Sequence, residues 1–150
     1  MSSVFLNKAD LLAERLNRVA GLESYRFVVS RPKKIDVELE KLLAKFSGGG
    51  VIVWKGGTNE QEDSTARIAS QYRLVLAENP TLRRSQGVEQ DGIVQLVIAA
   101  AHGWEPDTGP NAHRTRFKLQ SVTPDEVEAR VELIFTSITQ LPNTEIFLNP

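Results

Sequence analysis

The chain has 150 residues, 41% of them hydrophobic and 25% charged, which is ordinary for a globular protein. A chain of this length can bury roughly 68–70% of its unfolded surface, so we expect a single domain over residues 1–150 that needs no disulfide or metal. A net charge of −1 argues against nucleic acid or an anionic membrane as a partner, and the lack of cysteine excludes disulfides, thiolate nucleophiles and zinc–cysteine sites.

The first predicted elements are a helix and a short strand. The helix is expected over Leu6–Gly21, with Asn7 capping its free amides and Asp10 completing a pattern like a capping box. Gly21 suits the left-handed position after a helix. Tyr25–Ser30 alternates as a strand. The opening residues lack the basic and apolar regions of a secretion signal, so none is expected.

A second helix and a buried strand come next. The apolar spacing over Ile35–Phe46 predicts a helix, and Ser47–Gly50 is expected to end it. Val51–Trp54 is an apolar run without alternation, which indicates a central strand covered on both faces. Gly56–Thr65 is then predicted to be a polar loop between two antiparallel strands.

The strongest patterns lie in the middle of the chain. Ala66–Ala77 alternates with a period of two and stops at Asn79-Pro80, as a half-buried strand would. Ile93–Trp104 is apolar at nearly every position, so we expect a helix that lies on the inner face of the sheet and is covered on most sides. The run is too short to span a bilayer.

The sequence of the last third of the chain indicates a loop followed by a closing hairpin. Glu105–Ala112 is rich in proline and glycine and is expected to be irregular. Arg114–Val122 and Val127–Ile138 are predicted strands, joined by a turn at Thr123–Asp125.

This order predicts an α+β fold: a mostly antiparallel sheet of about five strands, with two or three helices packed on one face and the order α-β-α-β-β-α-β-β. The other face should then be polar and wet. The residues expected on it are Arg67, Gln71, Arg73, Arg116, Lys118, Glu128, Arg130 and Glu132.

The sequence contains only weak motifs for catalysis, phosphate binding or metal binding. The glycines of SGGGVIVWKGGT lack the spacing of a phosphate-binding loop and precede a strand rather than a helix. His102 and His113, with Glu105 and Asp107 between them, match no zinc spacing. There is no nucleophile elbow. We therefore assign no catalytic, cofactor-binding or metal residue and expect no cofactor.

Charged side chains form two concentrations that indicate either a solvated surface or a subunit contact. An acidic group falls in the predicted loop after the central strand, and a basic group lies on the following strands and loops. The predicted subunit or partner interface consists of Glu60, Glu62, Asp63, Arg73, Arg83, Arg84, Arg114 and Arg116.

Several segments together resemble the phage tail-terminator (tail-completion) proteins of Mu-like contractile-tailed phages and prophages. They are the LLAERLN helix, the VIVW strand, the ARIASQYRLVLA strand, the VIAAAHGW helix end and the closing EVEARVELIF strand. The resemblance covers most of the chain, from Asn7 to about Ile138.

This resemblance implies a structural, non-enzymatic virion protein at the neck between tail and head, assembled in the host cytoplasm. The family caps the tail tube as a hexameric ring, stops tail polymerisation and offers a surface for joining the head. Its implied partners are further copies of the chain, the tail tube protein, and possible contacts to the sheath and head-completion or connector proteins. An open sheet edge, as expected in such a fold, is a template for pairing with another chain.

Two other functions stay open at this point. One is a small cytoplasmic enzyme whose site assembles around His102 and His113. The other is a nucleic-acid-binding adaptor that uses the row Arg114, Arg116 and Lys118, although specific binding is not expected because aromatic residues are not interleaved with these cations.

Overall fold

The computed structural model describes residues 3–60, 66–79, 90–107, 112–125, 127 and 129–141. The helices are α1 (Val4–Leu16), α2 (Ile35–Leu43) and α3 (Gln90–Ala101). The strands are β1 (Tyr25–Val29), β2 (Gly48–Asn59), β3 (Ala66–Glu78), β4 (Lys118–Asp125) and β5 (Arg130–Leu141), in the sheet order β1-β2-β3-β5-β4.

The predicted α+β class and the order of elements are confirmed. The sheet is mixed rather than purely antiparallel, because β1 and β2 run parallel while the remaining neighbours are antiparallel. A parallel pair needs a crossover connection, and α2 supplies it between these two strands.

The two faces of the sheet are covered differently. On one face α1 and α3 pack over a core that includes Tyr72, Leu74 and Phe135. The period of two in β3 sends Val75 to the opposite face, where α2 packs through Leu39. Two helices on one face are therefore confirmed, whereas the expectation that the opposite face is wholly polar is wrong.

The first helix starts earlier than its sequence pattern predicted. Ser3, not Asn7, is the N-cap, and its Oγ accepts a hydrogen bond of 3.4 Å from the backbone N–H of Leu6. Asn17 follows the last turn. Gly21 does adopt a positive φ of +97°, but in the turn after the helix.

The glycines before the central strand belong to the strand itself. Gly48, Gly49 and Gly50 begin β2 and pair with β1, so the expectation that the strand starts only after them, at Val51, is wrong. β2 also continues to Asn59, which shortens the predicted loop Gly56–Thr65; residues 61–65 of that loop lie outside the described residues.

Helix α3 buries a narrower stripe than its composition predicted. Ile93, Val97 and Ala101 are fully buried against the sheet. Val94 and Ile98, on the flank of the helix, are only partly buried. The expected cover on most sides is therefore not present among the described residues, and an apolar flank of α3 stays open.

Candidate interaction surfaces

The β1 edge of the sheet is closed by a side chain. Asn17, just after α1, accepts a hydrogen bond of 2.8 Å from the Phe27 N–H and donates one of 2.9 Å to the Phe27 carbonyl. These are the two bonds that a neighbouring strand would make at Phe27. The side-chain amide thus occupies the centre of this edge, and an incoming strand cannot pair there without displacing it.

The opposite edge of the sheet is β4, which among the described strands is bonded to β5 alone. A bulge lies between Leu119 and Ser121, and the Leu119 N–H donates a hydrogen bond of 2.9 Å to Nδ1 of His102, which ties the start of the strand to the end of α3. Pro124 lies in the strand and has no N–H, as is usual at a sheet edge. Seven of the eight residues of β4 carry exposed side chains, so this strand faces solvent.

An apolar groove lies between α3 and this edge. Its volume is about 500 Å³ and its lining is almost entirely apolar. The apolar lining residues are Val94, Ile98, Ala99, Val122, Pro124 and Val131. Val122 keeps 40% of its surface exposed. An open strand edge beside an apolar groove is the arrangement by which sheets accept an extended segment of another chain.

The predicted interface residues are only partly within the described structure. Glu60 follows β2 and is exposed, and Arg114 is exposed in a short 3₁₀ turn before β4. Glu62, Asp63, Arg83 and Arg84 lie outside the described residues.

Two of the predicted interface cations already have partners within the chain. Arg73 forms an ion pair of 2.7 Å with Glu132 across β3 and β5. Arg116 donates to the His113 carbonyl at 2.9 Å and to Glu105 at 3.0 Å. Both pairs are partly exposed, so each contributes at most about 1 kcal/mol. Among the predicted cations that are described, Arg114 is therefore the one best placed to face a partner.

Glu60 and Arg114 lie at the same end of the sheet. Glu60 bonds to Arg67 beyond the last β2–β3 pair, and Thr115 accepts a hydrogen bond of 2.6 Å from Ser137 near the end of β5. Three strand spacings separate β2 from β4, which is about 14 Å. Each copy therefore presents an acidic and a basic position three strands apart on one rim of the sheet.

The histidines have structural contacts. Nδ1 of His102 accepts a hydrogen bond from the Leu119 N–H. The His113 carbonyl accepts from Arg116. Within the described ranges, no group of three or more histidine, aspartate or glutamate side chains is arranged to hold a metal ion.

The structure buries one lysine that the sequence patterns did not single out. Lys8 is 4% exposed, and its Nζ donates to the Ile138 carbonyl at 2.9 Å and to Thr139 Oγ1 at 3.0 Å. Asp107 lies 3.8 Å from the same nitrogen. Its spacing of four residues from Leu12 is the sequence feature that could have indicated its burial, because residues four apart share one face of a helix. Lys8 thus fastens α1 to the end of β5.

Burial lowers the pKa of the Lys8 ammonium, and the nearby Asp107 carboxylate offsets this only in part. Nearby, burial raises the pKa of the Tyr72 hydroxyl, which donates a hydrogen bond of 3.0 Å to the Phe5 carbonyl. The nitrogen of Lys8 already has its acceptors, so the cluster explains how α1 is held to the end of β5.

We expect Lys8→Met to flatten the dependence of stability on pH. The unfolded chain binds more protons than the folded one between the lowered pKa of Lys8 and the ordinary value of 10.5, so the wild-type free energy of unfolding rises with pH in that window. The raised pKa of Tyr72 reverses the trend only above its ordinary value of 10.0.

The measurement is urea denaturation from neutral pH up to 10.0, followed by circular dichroism, on wild type and Lys8→Met. Tyr72→Phe keeps Lys8 and serves as the control, in which the rise should persist. Parallel curves for wild type and Lys8→Met would show that Lys8 is not the group responsible.

No helix among the described residues is long and apolar enough to cross a membrane. Comparison of the chain with models of known protein families and with curated proteins finds no match.

Proposed function

We propose that the protein is a structural assembly subunit that forms a closed ring, and that this ring is the terminator of a phage tail tube. The observation that carries the proposal is the asymmetry of the two sheet edges. One edge is closed by Asn17, and the other combines an open strand with an apolar groove. The resemblance to the tail-terminator family gives the assembly its identity.

Symmetry restricts how such a ring could form. If β4 paired with β4 of another copy, the contact would be isologous and would stop at a dimer. Pairing of β4 with β1 would be heterologous, but Asn17 occupies the β1 edge at Phe27. In a ring the β4 surface would therefore meet a different surface of the next copy, and a repeated contact of this kind closes into a ring or runs on as a filament.

The experiment that tests the proposal is a mass measurement on the purified protein, by light scattering and native mass spectrometry, alone and with tail tube protein. Six copies of a 16.7 kDa chain give about 100 kDa. Negative-stain images should show rings. A particle that stays monomeric at high concentration and in the presence of tube protein would overturn the proposal.

The charged rim provides a second test of the ring. Arg114→Glu should weaken assembly, because a cation facing the acidic segment around Glu60 of a neighbour would become an anion. Exposed pairs contribute about 0.2–1 kcal/mol each, so a few-fold rise in the concentration needed for half-assembly is expected, and it should be smaller at high salt.

The matched variants separate a paired charge from a solvated one. Arg114→Gln removes the charge without reversing it and should have a smaller effect. Glu60→Arg combined with Arg114→Glu should recover assembly if the two positions face each other. If the double variant is no better than Arg114→Glu alone, Glu60 is not the partner of Arg114.

A further inference from the structure

An open pocket lies between α1 and the end of α3. Its volume is about 390 Å³, which is within the range of pockets that hold small molecules. One part of its lining is charged and the other is apolar, so a ligand that fits it has a polar head on an apolar body. The apolar lining consists of Leu11, Val19, Ala100 and Trp104.

The main charged group of the pocket is Arg15, which two contacts hold in place. Its Nε donates a hydrogen bond of 2.6 Å to the carbonyl of Ala100, one of the last carbonyls of α3, which lack partners within a helix. Its guanidinium also lies over the Trp104 ring, 4.8 Å from the ring centre, and a cation is attracted to an aromatic face. Trp104 is itself supported, because it stacks on the buried Phe117 at 5.8 Å.

The terminal nitrogens of Arg15 are not used by these contacts. Nη1 and Nη2 make no hydrogen bond or ion pair with the described part of the chain. A guanidinium presents its N–H groups as a planar fork that matches the two oxygens of a carboxylate. Because Arg15 is already held, a ligand would not bear the full cost of ordering this side chain.

The other charges that line the pocket cancel. Arg18 and Glu14 form an exposed ion pair of 2.6 Å with each other. Arg15 is therefore the cation of this lining that has no anionic partner among the described residues, and the pocket as a whole carries one positive charge. Charge complementarity favours an anion as its ligand.

We propose that this pocket binds a carboxylate that is carried on an apolar group. The two carboxylate oxygens accept from the guanidinium of Arg15, and the apolar group lies against Leu11 and Val19. The pocket shares no residue with the α3–β4 groove, and the inference goes beyond the proposed function because it does not depend on assembly.

The test uses hexanoate as the probe and the indole N–H signal of Trp104, in NMR spectra of the ¹⁵N-labelled protein, as the readout. The chain has one other tryptophan, Trp54, so a Trp54→Phe variant assigns both signals. Trp54 stacks on Phe5, and Tyr72 and Phe117 separate it from Trp104. Hexanoate should shift the Trp104 signal in a saturable way and leave the Trp54 signal in place.

Two further probes separate the head from the body of the ligand. Hexanamide keeps the apolar body without the charge, and it should bind at least about tenfold more weakly than hexanoate because its hydrogen bonds are not charge-assisted. Acetate keeps the charge without the chain of methylene groups, and it should also bind at least about tenfold more weakly because it buries little apolar surface.

Variants of Arg15 test the guanidinium directly. Arg15→Gln removes the charge and should weaken hexanoate binding at least about tenfold. Arg15→Lys keeps the charge but loses the planar fork, and it should weaken binding at least about fivefold. The matched control is Arg31→Gln, because Arg31 is an exposed arginine just before α2, which packs on the opposite face of the sheet, and this variant should bind as wild type does. Circular dichroism checks that each variant is folded.

Three results would each overturn the proposal. One is hexanoate binding at the wild-type level in Arg15→Gln or Arg15→Lys. Another is hexanamide that binds as tightly as hexanoate, which would mean that the carboxylate is not recognised. The third is hexanoate that shifts the signals of Ile98 and Val122 in the α3–β4 groove while the Trp104 signal stays in place.

Discussion

Gly50→Val is expected to lower the free energy of unfolding by about 3 kcal/mol or more, enough to deplete the folded state of a domain of ordinary stability. Gly50 is buried in β2, between β1 and β3. A Cβ at this position would lie 2.6 Å from Phe27 Cδ1 and 2.8 Å from Leu74 Cδ1. Both neighbours are fully buried, so neither can move away without disturbing the core under α1 and α3.

The measurement is urea denaturation followed by circular dichroism, with Gly92→Ala as the control. Gly92 lies in α3, and a Cβ there would meet nothing within 4 Å. Replacing it should raise stability by up to about 1 kcal/mol, because glycine costs that much in a helix interior. If Gly50→Val unfolds at the same urea concentration as wild type, the close packing of Phe27 over the glycine is not what the position requires.

The elements with a clear period were predictable from the sequence. The alternation in Ala66–Ala77 corresponds to β3, which extends only one residue further, to Glu78. The closing hairpin corresponds to β4 and β5, but the turn predicted at Thr123–Asp125 is wrong, because these residues belong to β4 and pair with β5. Periodicity works best where one face of the strand is more deeply buried than the other, as along much of β5 and in the middle of β3, because the sequence then repeats with the pleat.

The periodicity of side chains could not predict that the glycines of β2 belong to a strand. Glycine carries no side chain to show a period, and the usual role of a glycine run is to punctuate a chain. The strand is chosen by tertiary packing instead, since Tyr25, Phe27 and Leu42 occupy the space that side chains on Gly48, Gly50 and Gly49 would need. That information lies in elements distant in the sequence.

The candidate surface was only partly predictable for the same reason. Charge patterns indicated where cations concentrate, but not that Arg73 and Arg116 have partners in the same chain, because Glu132 is distant in sequence from Arg73. The apolar composition of α3 predicted a covered helix. The structure instead divides that apolar surface between a buried stripe and an open flank beside the β4 edge.

Asn17→Asp is expected to lower the free energy of unfolding by about 1–3 kcal/mol. In the wild type the Asn17 amide accepts from the Phe27 N–H at 2.8 Å and donates to the Phe27 carbonyl at 2.9 Å. The aspartate keeps the first bond, but it places a second oxygen against the carbonyl in place of the N–H donor. A partly buried carbonyl then loses its donor and faces a negative charge. The charge also lies at the C-terminal end of α1, where the helix dipole disfavours an anion.

A second substitution, Asn17→Ala, tests whether Asn17 keeps the β1 edge closed. Alanine removes both side-chain bonds to Phe27, so the edge becomes available to another chain and the variant should show a concentration-dependent association that differs from the wild-type assembly. Gln71→Ala is the control, since the Gln71 amide makes an exposed hydrogen bond of 3.1 Å to Gln120 and should be worth little. Denaturation and sedimentation of the three variants decide the point. An Asn17→Ala protein with wild-type stability and wild-type association would mean that this amide does not protect the β1 edge. Pairing of β4 with β1 would then remain a possible ring contact.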